Sequence, residues 1–118
     1  MKENIILNKS LDFGCRILKL SQFLAKGDQR IIADQILRCG MSIGANVSES
    51  AYAASNADFI NKLYIAQKEA SETEFWLNAL HKTNIINDKM HESLHGDVVE
   101  LLKLLGSSII TAKKKKTT

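Results

Sequence analysis

Proline is absent from all 118 residues. Nothing in the chain therefore forces a helix to kink or stop at a missing N–H, and a turn-rich β fold is disfavoured. Aromatic residues are scarce at 6%, while charged residues at 25% give an ordinary soluble composition. No run approaches the roughly 18 apolar residues of a membrane span. The opening MKENIILNKS has neither a long apolar core nor a cleavage site, so no secretory signal is expected and a cytoplasmic location is. Cysteine occurs only at Cys15 and Cys39, each where a small apolar residue would pack, which reads as two reduced core thiols. The length suits one domain with a modest core, whose stability would gain from oligomerisation.

The net charge of +3 is unevenly placed: Lys113, Lys114, Lys115 and Lys116 supply four positive charges, leaving the remainder at −1. A nearly neutral body argues against a nucleic-acid groove built into the fold. The lysine run is either a solvated end or a polyanion contact.

What the sequence does have is helical periodicity. A first segment, from about residue 10 to 25, places Phe13, Ile17, Leu20 and Leu24 on one stripe, with Leu11, Cys15 and Leu18 beside it. Lys26-Gly27-Asp28 is a break in which Gly27 suits a positive φ and Asp28 suits a cap for the next helix. A second segment, from about 29 to 53, carries the seam Ile32, Ile36, Cys39, Ile43, whose next step is Asn46. Gly40 and Gly44 lie four apart in it, a pattern that suits close approach of another backbone. Ser55-Asn56-Ala57-Asp58 is a capping box that opens a third segment. Its seam is Phe59, Leu63, Ala66, Ala70, Thr73, Leu77 and Leu80. After a turn over residues 83–87, a fourth segment from Asp88 to about Ala112 buries Met90, Leu94, Val98, Leu101, Leu105 and Ile109, flanked by Leu102 and Leu104. Four helices with short connections make an all-α, antiparallel up-down-up-down four-helix bundle. The expected layout is an N-terminal arm over 1–9, the bundle over 10–112 and a basic tail over 113–118.

The second and third helices form a hairpin in which residues whose numbers add to roughly 110 lie level. Arg38 then faces Glu72. Arg38, Ser42, Asn46, Glu49 and Glu72 make a polar layer beside the seams, suited to fixing helix register or to holding a ligand or partner. Asn46 is expected to use its amide between the helices, and Glu49 to accept from the free N–H groups at the start of the third helix. Tyr52, Ile65, Phe75 and Trp76 fall partly outside the seams, a surface suited to self-association.

His91-Glu92-Ser93-Leu94-His95 matches the zinc-hydrolase pattern H-E-x-x-H, with the two histidines as ligands and Glu92 as base. Against a small zinc-dependent hydrolase stand the core position of Leu94, the motif's place in a first helical turn and the lack of a third ligand. A di-iron bundle would need a second Glu-x-x-His, and Glu92-x-x-His95 is the single copy. No cofactor is expected.

Gln35-Ile36-x-Arg38, Ser42-Ile43-x-x-Asn46-Val47-x-Glu49, Ser55-x-x-Asp58-Phe59, Leu63-Tyr64-Ile65-Ala66 and Ser71-Glu72-x-Glu74 follow one another in that order. Together they resemble the four-helix-bundle family of proteins encoded in intervening sequences of bacterial 23S rRNA, which is related to accessory proteins of diversity-generating retroelements. The resemblance covers about residues 10 to 110. It departs at Gly44, where the family often has proline, at Ser50, where it often has glycine, and in lacking a tryptophan early in the first helix. The resemblance implies a non-enzymatic homo-oligomer, typically a pentameric ring. It implies RNA or DNA as a partner, and a reverse transcriptase in a retroelement setting. Five subunits would gather the lysines of five tails, so that even a neutral body binds polyanions by avidity.

Overall fold

The computed structural model describes residues 2–115. Four helices follow one another: α1 (Lys2–Lys26), α2 (Arg30–Ser50), α3 (Asn56–Lys82) and α4 (Asp88–Lys114). They form the expected four-helix bundle, in which α1 packs on α2, α2 on α3 and α3 on α4, and a thinner seam between α4 and α1 closes the ring. A helix of 27 residues, such as α3 or α4, is about 40 Å long at 1.5 Å per residue.

The apolar stripes of the sequence become the core. Phe13, Ile17, Leu20 and Leu24 of α1, the α3 line from Leu63 to Leu80 and the α4 line from Leu94 to Ile109 are all buried. Phe59 and Met90, expected on those lines, are partly buried and pack against them. No membrane-spanning candidate exists among the described helices, none being long and apolar enough.

Several boundaries differ from the sequence reading. α1 begins at Lys2, so residues 2–9 are helix instead of a separate arm; Ile6 and Ser10 extend its buried stripe back from Phe13. α2 stops at Ser50 instead of near residue 53, because the N–H groups of Ala51, Tyr52 and Ala53 each turn back three residues, onto Ser48, Glu49 and Ser50 carbonyls. α4 runs past Ala112 to Lys114, so Lys113 and Lys114 are its last turn, where cations suit the helix dipole. Cys15 is exposed, on the outer side of α1, and Cys39 is buried as expected. Burial pushes the Cys39 thiol up from its ordinary value.

At the α1–α2 break the positive φ belongs to Asp28 (65°), not to Gly27. The Gln29 N–H reaches the Leu24 carbonyl (2.8 Å) and the Asp28 N–H reaches that of Ala25 (3.3 Å), a Schellman closure with aspartate in the left-handed position. Asp28 is thereby committed to ending α1. The residue before α2 is Gln29, whose side chain makes no capping bond. The α3–α4 turn repeats the same closure: Asn84 has φ 62°, and the Ile85 and Asn84 N–H groups reach Leu80 (2.9 Å) and His81 (3.0 Å). That turn also buries Ile86, a core residue that no helical periodicity marks.

At α3 the Ser55 cap forms, and the return bond of the capping box comes from the residue before the cap. The Ser55 hydroxyl accepts from the Asp58 N–H (3.0 Å), and the Asp58 carboxylate accepts in return from the Ala54 N–H (3.1 Å). At α4 the Asn87 side chain accepts from the Met90 N–H (2.8 Å).

Both glycines of α2 sit against α1. A Cβ on Gly40 would stand 2.7 Å from Cγ2 of Ile17, a fully buried β-branched side chain with little room to turn. A Cβ on Gly44 would meet the Ser10 backbone at ordinary contact distance (3.5 Å).

Candidate functional site

The polar layer of the α2–α3 hairpin lies at the surface. Arg38 donates through Nη1 to Glu69 (3.0 Å) and through Nη2 to Glu72 (2.5 Å), and the Trp76 indole N–H donates to the same Glu72 oxygen (3.1 Å). These bonds hold the Glu72 carboxyl below its ordinary value, the Arg38 bond first. Arg38 is half exposed, with 51% of its side-chain surface open. The guanidinium is engaged by two carboxylates of its own chain, an arrangement that clamps α2 to α3.

Two contacts expected of this layer are made elsewhere. The buried line of α2 passes from Ile43 to Val47 and Ser50 and leaves Asn46 half-buried. At 100° per residue, Val47 falls nearer the centre of the stripe than Asn46 does. The Asn46 amide turns back on its own helix, donating to the Ser42 carbonyl (2.9 Å) and hydroxyl (3.1 Å). Glu49 takes the Lys62 ammonium (2.9 Å) instead of the α3 N–H groups, one of which, that of Asp58, already donates to the Ser55 hydroxyl. Between the helices, the buried polar contact is that of Thr73. Its hydroxyl donates to the Glu69 carbonyl (2.8 Å) and lies 3.1 Å from Cys39 Sγ.

Of the off-seam apolar residues, Tyr52 (88% exposed) and Phe75 (63%) stand in solvent. Trp76 packs partly on the core and makes a T-shaped pair with the Phe75 ring, and Ile65 is half-buried. A second apolar surface lies off the seams that the sequence marks. Leu7, Leu11, Gly14, Met41, Gly44 and Ala45 line a groove of about 440 Å³ between α1 and α2. The sequence carries a signal for it in Leu11, which flanks the α1 stripe.

His91 and His95 do not converge. On α4 their rings stack at 5.0 Å, and the His81 ring of α3 stacks on His91 at 4.1 Å. Each Nε2 faces a different partner: His81 faces Asp88 (2.7 Å), His91 faces Asn78 (2.8 Å) and His95 faces Glu74 (2.8 Å). Glu92 is exposed. Among the described residues no group of three or more His, Cys, Asp or Glu is arranged to hold a metal ion, and H-E-x-x-H therefore gains no third ligand from the fold.

At the other end of the bundle α4 finishes against the start of α3. The Asn56 amide donates to the Ala112 carbonyl (2.9 Å), and the Lys113 ammonium lies 5.1 Å from the centre of the Tyr64 ring. Lys114 and Lys115 are exposed beyond this anchor, and Lys116 lies outside the described residues.

A profile of the 23S rRNA-intervening sequence protein family matches residues 2–107. Among solved structures, the chain is similar to a protein of the S23 ribosomal protein family from Bacteroides thetaiotaomicron VPI-5482. The identity is 49% and the TM-score 0.90, over 92% of this chain and 98% of that one. No curated protein matches.

Proposed function

This chain belongs to the 23S rRNA-intervening sequence protein family, and from that premise we propose that it is a non-enzymatic cytoplasmic assembly protein. In this reading copies of the bundle associate, as a pentameric ring on the pattern the family resemblance implies, and present their C-terminal lysines together to RNA or DNA. The observation that carries the reading is the anchored end of α4. Asn56 and Tyr64 hold the base of the lysine run against α3, so each subunit would project its cations from the same end. The exposed rings of Tyr52 and Phe75, and the apolar groove of α1 and α2, supply surface for association.

A single tail neutralises few phosphates, whereas several held together neutralise many. Affinity should then fall steeply with salt, by a slope of about 0.7 to 0.9 for each phosphate contact. Fluorescence anisotropy with labelled RNA tests this across a salt series. Binding is expected to drop steeply with salt and largely to vanish when Lys113, Lys114, Lys115 and Lys116 are deleted. Full binding by the truncated protein, or binding indifferent to salt, would overturn the tail mechanism. Light scattering on a size-exclusion column tests the assembly: a strict monomer at micromolar concentration contradicts it, and Phe75→Glu is expected to lower the mass without unfolding the bundle. In a retroelement setting the same ring would have a reverse transcriptase as its partner, and the gene neighbourhood distinguishes that setting from an rRNA gene.

A further inference from the structure

The histidine column crosses the α3–α4 hairpin as a level zipper. Down α3 the participants are His81, Asn78 and Glu74, and up α4 they are Asp88, His91 and His95, so the spacings of three and four residues match rung for rung. The rings are nearly parallel, at 10° between His81 and His91 and 19° between His91 and His95. The outer rungs differ from the middle one. His81 and His95 each face a carboxylate, which can accept a protonated ring as an ion pair. His91 faces only the amide of Asn78 and is sandwiched between the other two rings.

We propose that this column is a proton-sensitive clasp on the α3–α4 end of the bundle, closed while His91 is neutral and released when all three rings carry charge. The charged and titratable groups that act on His91 are His81 from α3 and His95 and Asp88 from α4, while Glu74 of α3 is turned to His95. Of the two carboxylates, each already serves an outer ring, so a third proton has no counter-ion of its own and two like charges beside it. Arg16 of α1 engages Ser93 and Asp97 on a different face of α4 and does not enter the column. Burial, followed by the His81 and His95 charges, holds His91 below its ordinary value of 6.5, with Asp88 opposing.

The direction of the effect follows by linkage. Above pH 6.5 His91 is neutral both folded and unfolded, and the clasp contributes in full. Below it the unfolded chain takes the proton first, so stability is lost as pH falls from there through the lower folded value. Each unit of that depression raises the unfolding constant about tenfold.

The test combines two measurements on the full chain at fixed concentration. An NMR titration of the His91 Cε1–H signal is expected to show it protonating below its ordinary value. Urea unfolding at pH 7.5 and 5.5 then compares the natural protein with His91→Phe, which keeps a ring in the column but cannot titrate. The natural protein is expected to lose more stability on acidification than the variant, with faster amide exchange through residues 83–91. Equal losses in the two proteins, or a folded His91 that protonates at or above its ordinary value, would overturn the proposal. Should His91→Phe fail to fold, the titration of the natural protein decides alone.

Discussion

The two hairpins that share α3 solve one problem with different chemistry. On one side α3 is clamped to α2 by Arg38 between Glu69 and Glu72 and by Lys62 on Glu49; on the other it is zipped to α4 by imidazoles. Both sets lie beside the seams, and both pair residues that an antiparallel register brings level. Their responses to acid diverge. Glu72, held below its ordinary value of 4.5, contributes stability that is complete above that pH and is lost only as pH falls through its lower folded value. His91 begins to lose its contribution about two units higher. One helix thus carries a pH-indifferent edge and a pH-responsive edge across the range from 7 to 5.

The turns differ as well. The α2–α3 turn presents Tyr52 to solvent, while the α3–α4 turn drives Ile86 into the core. The largest expected effect tests that contrast. Ile86→Ala should cost about 2–5 kcal/mol in urea unfolding, the range for emptying a buried aliphatic site. Tyr52→Ala should leave the fold within about 0.5 kcal/mol. A larger loss at Tyr52 would have to come from subunit contacts, and would then vary with protein concentration. Equal losses at the two positions would erase the distinction between the turns.

A smaller effect sharpens the contrast of the edges. Glu72→Gln removes the carboxylate that Arg38 and Trp76 share, and should lower stability by less than the Ile86 change, more at low salt than at high. Its stability difference from the natural protein should be the same at pH 7.5 and 5.5, because the carboxylate is ionised throughout. A difference that changes with pH over this range would place the acid response on the α2–α3 side and remove the comparison.

Much of the bundle was legible before the structure. The α3 seam, the Ser55 cap and the Arg38–Glu72 pair all follow from three- and four-residue spacing and the short turn, because these are local or level contacts. Asn46 shows the limit. Steps of three and four from Ile43 lead to two neighbours, and only the packed helix tells that Val47 faces the core while the amide turns back on Ser42. Ile86 and Asp28 were missed for a related reason: a turn residue's burial and backbone sign depend on how the chain leaves one helix and enters the next. In the sequence His91 and His95 stand as a motif of α4 alone. Their partners on α3, Glu74, Asn78 and His81, carry the same spacing, but nothing in a single helix says that two such stripes will face each other.

From the order of its residues alone this chain was bound to be four amphipathic helices, since hydrophobic period and turn chemistry act over a few residues. Which polar groups meet across the hairpins was decided by tertiary structure. Rotating a helix by part of a turn changes every cross-helix partner while leaving its own hydrogen bonds intact, and only the packing of all four helices on one core selects that rotation.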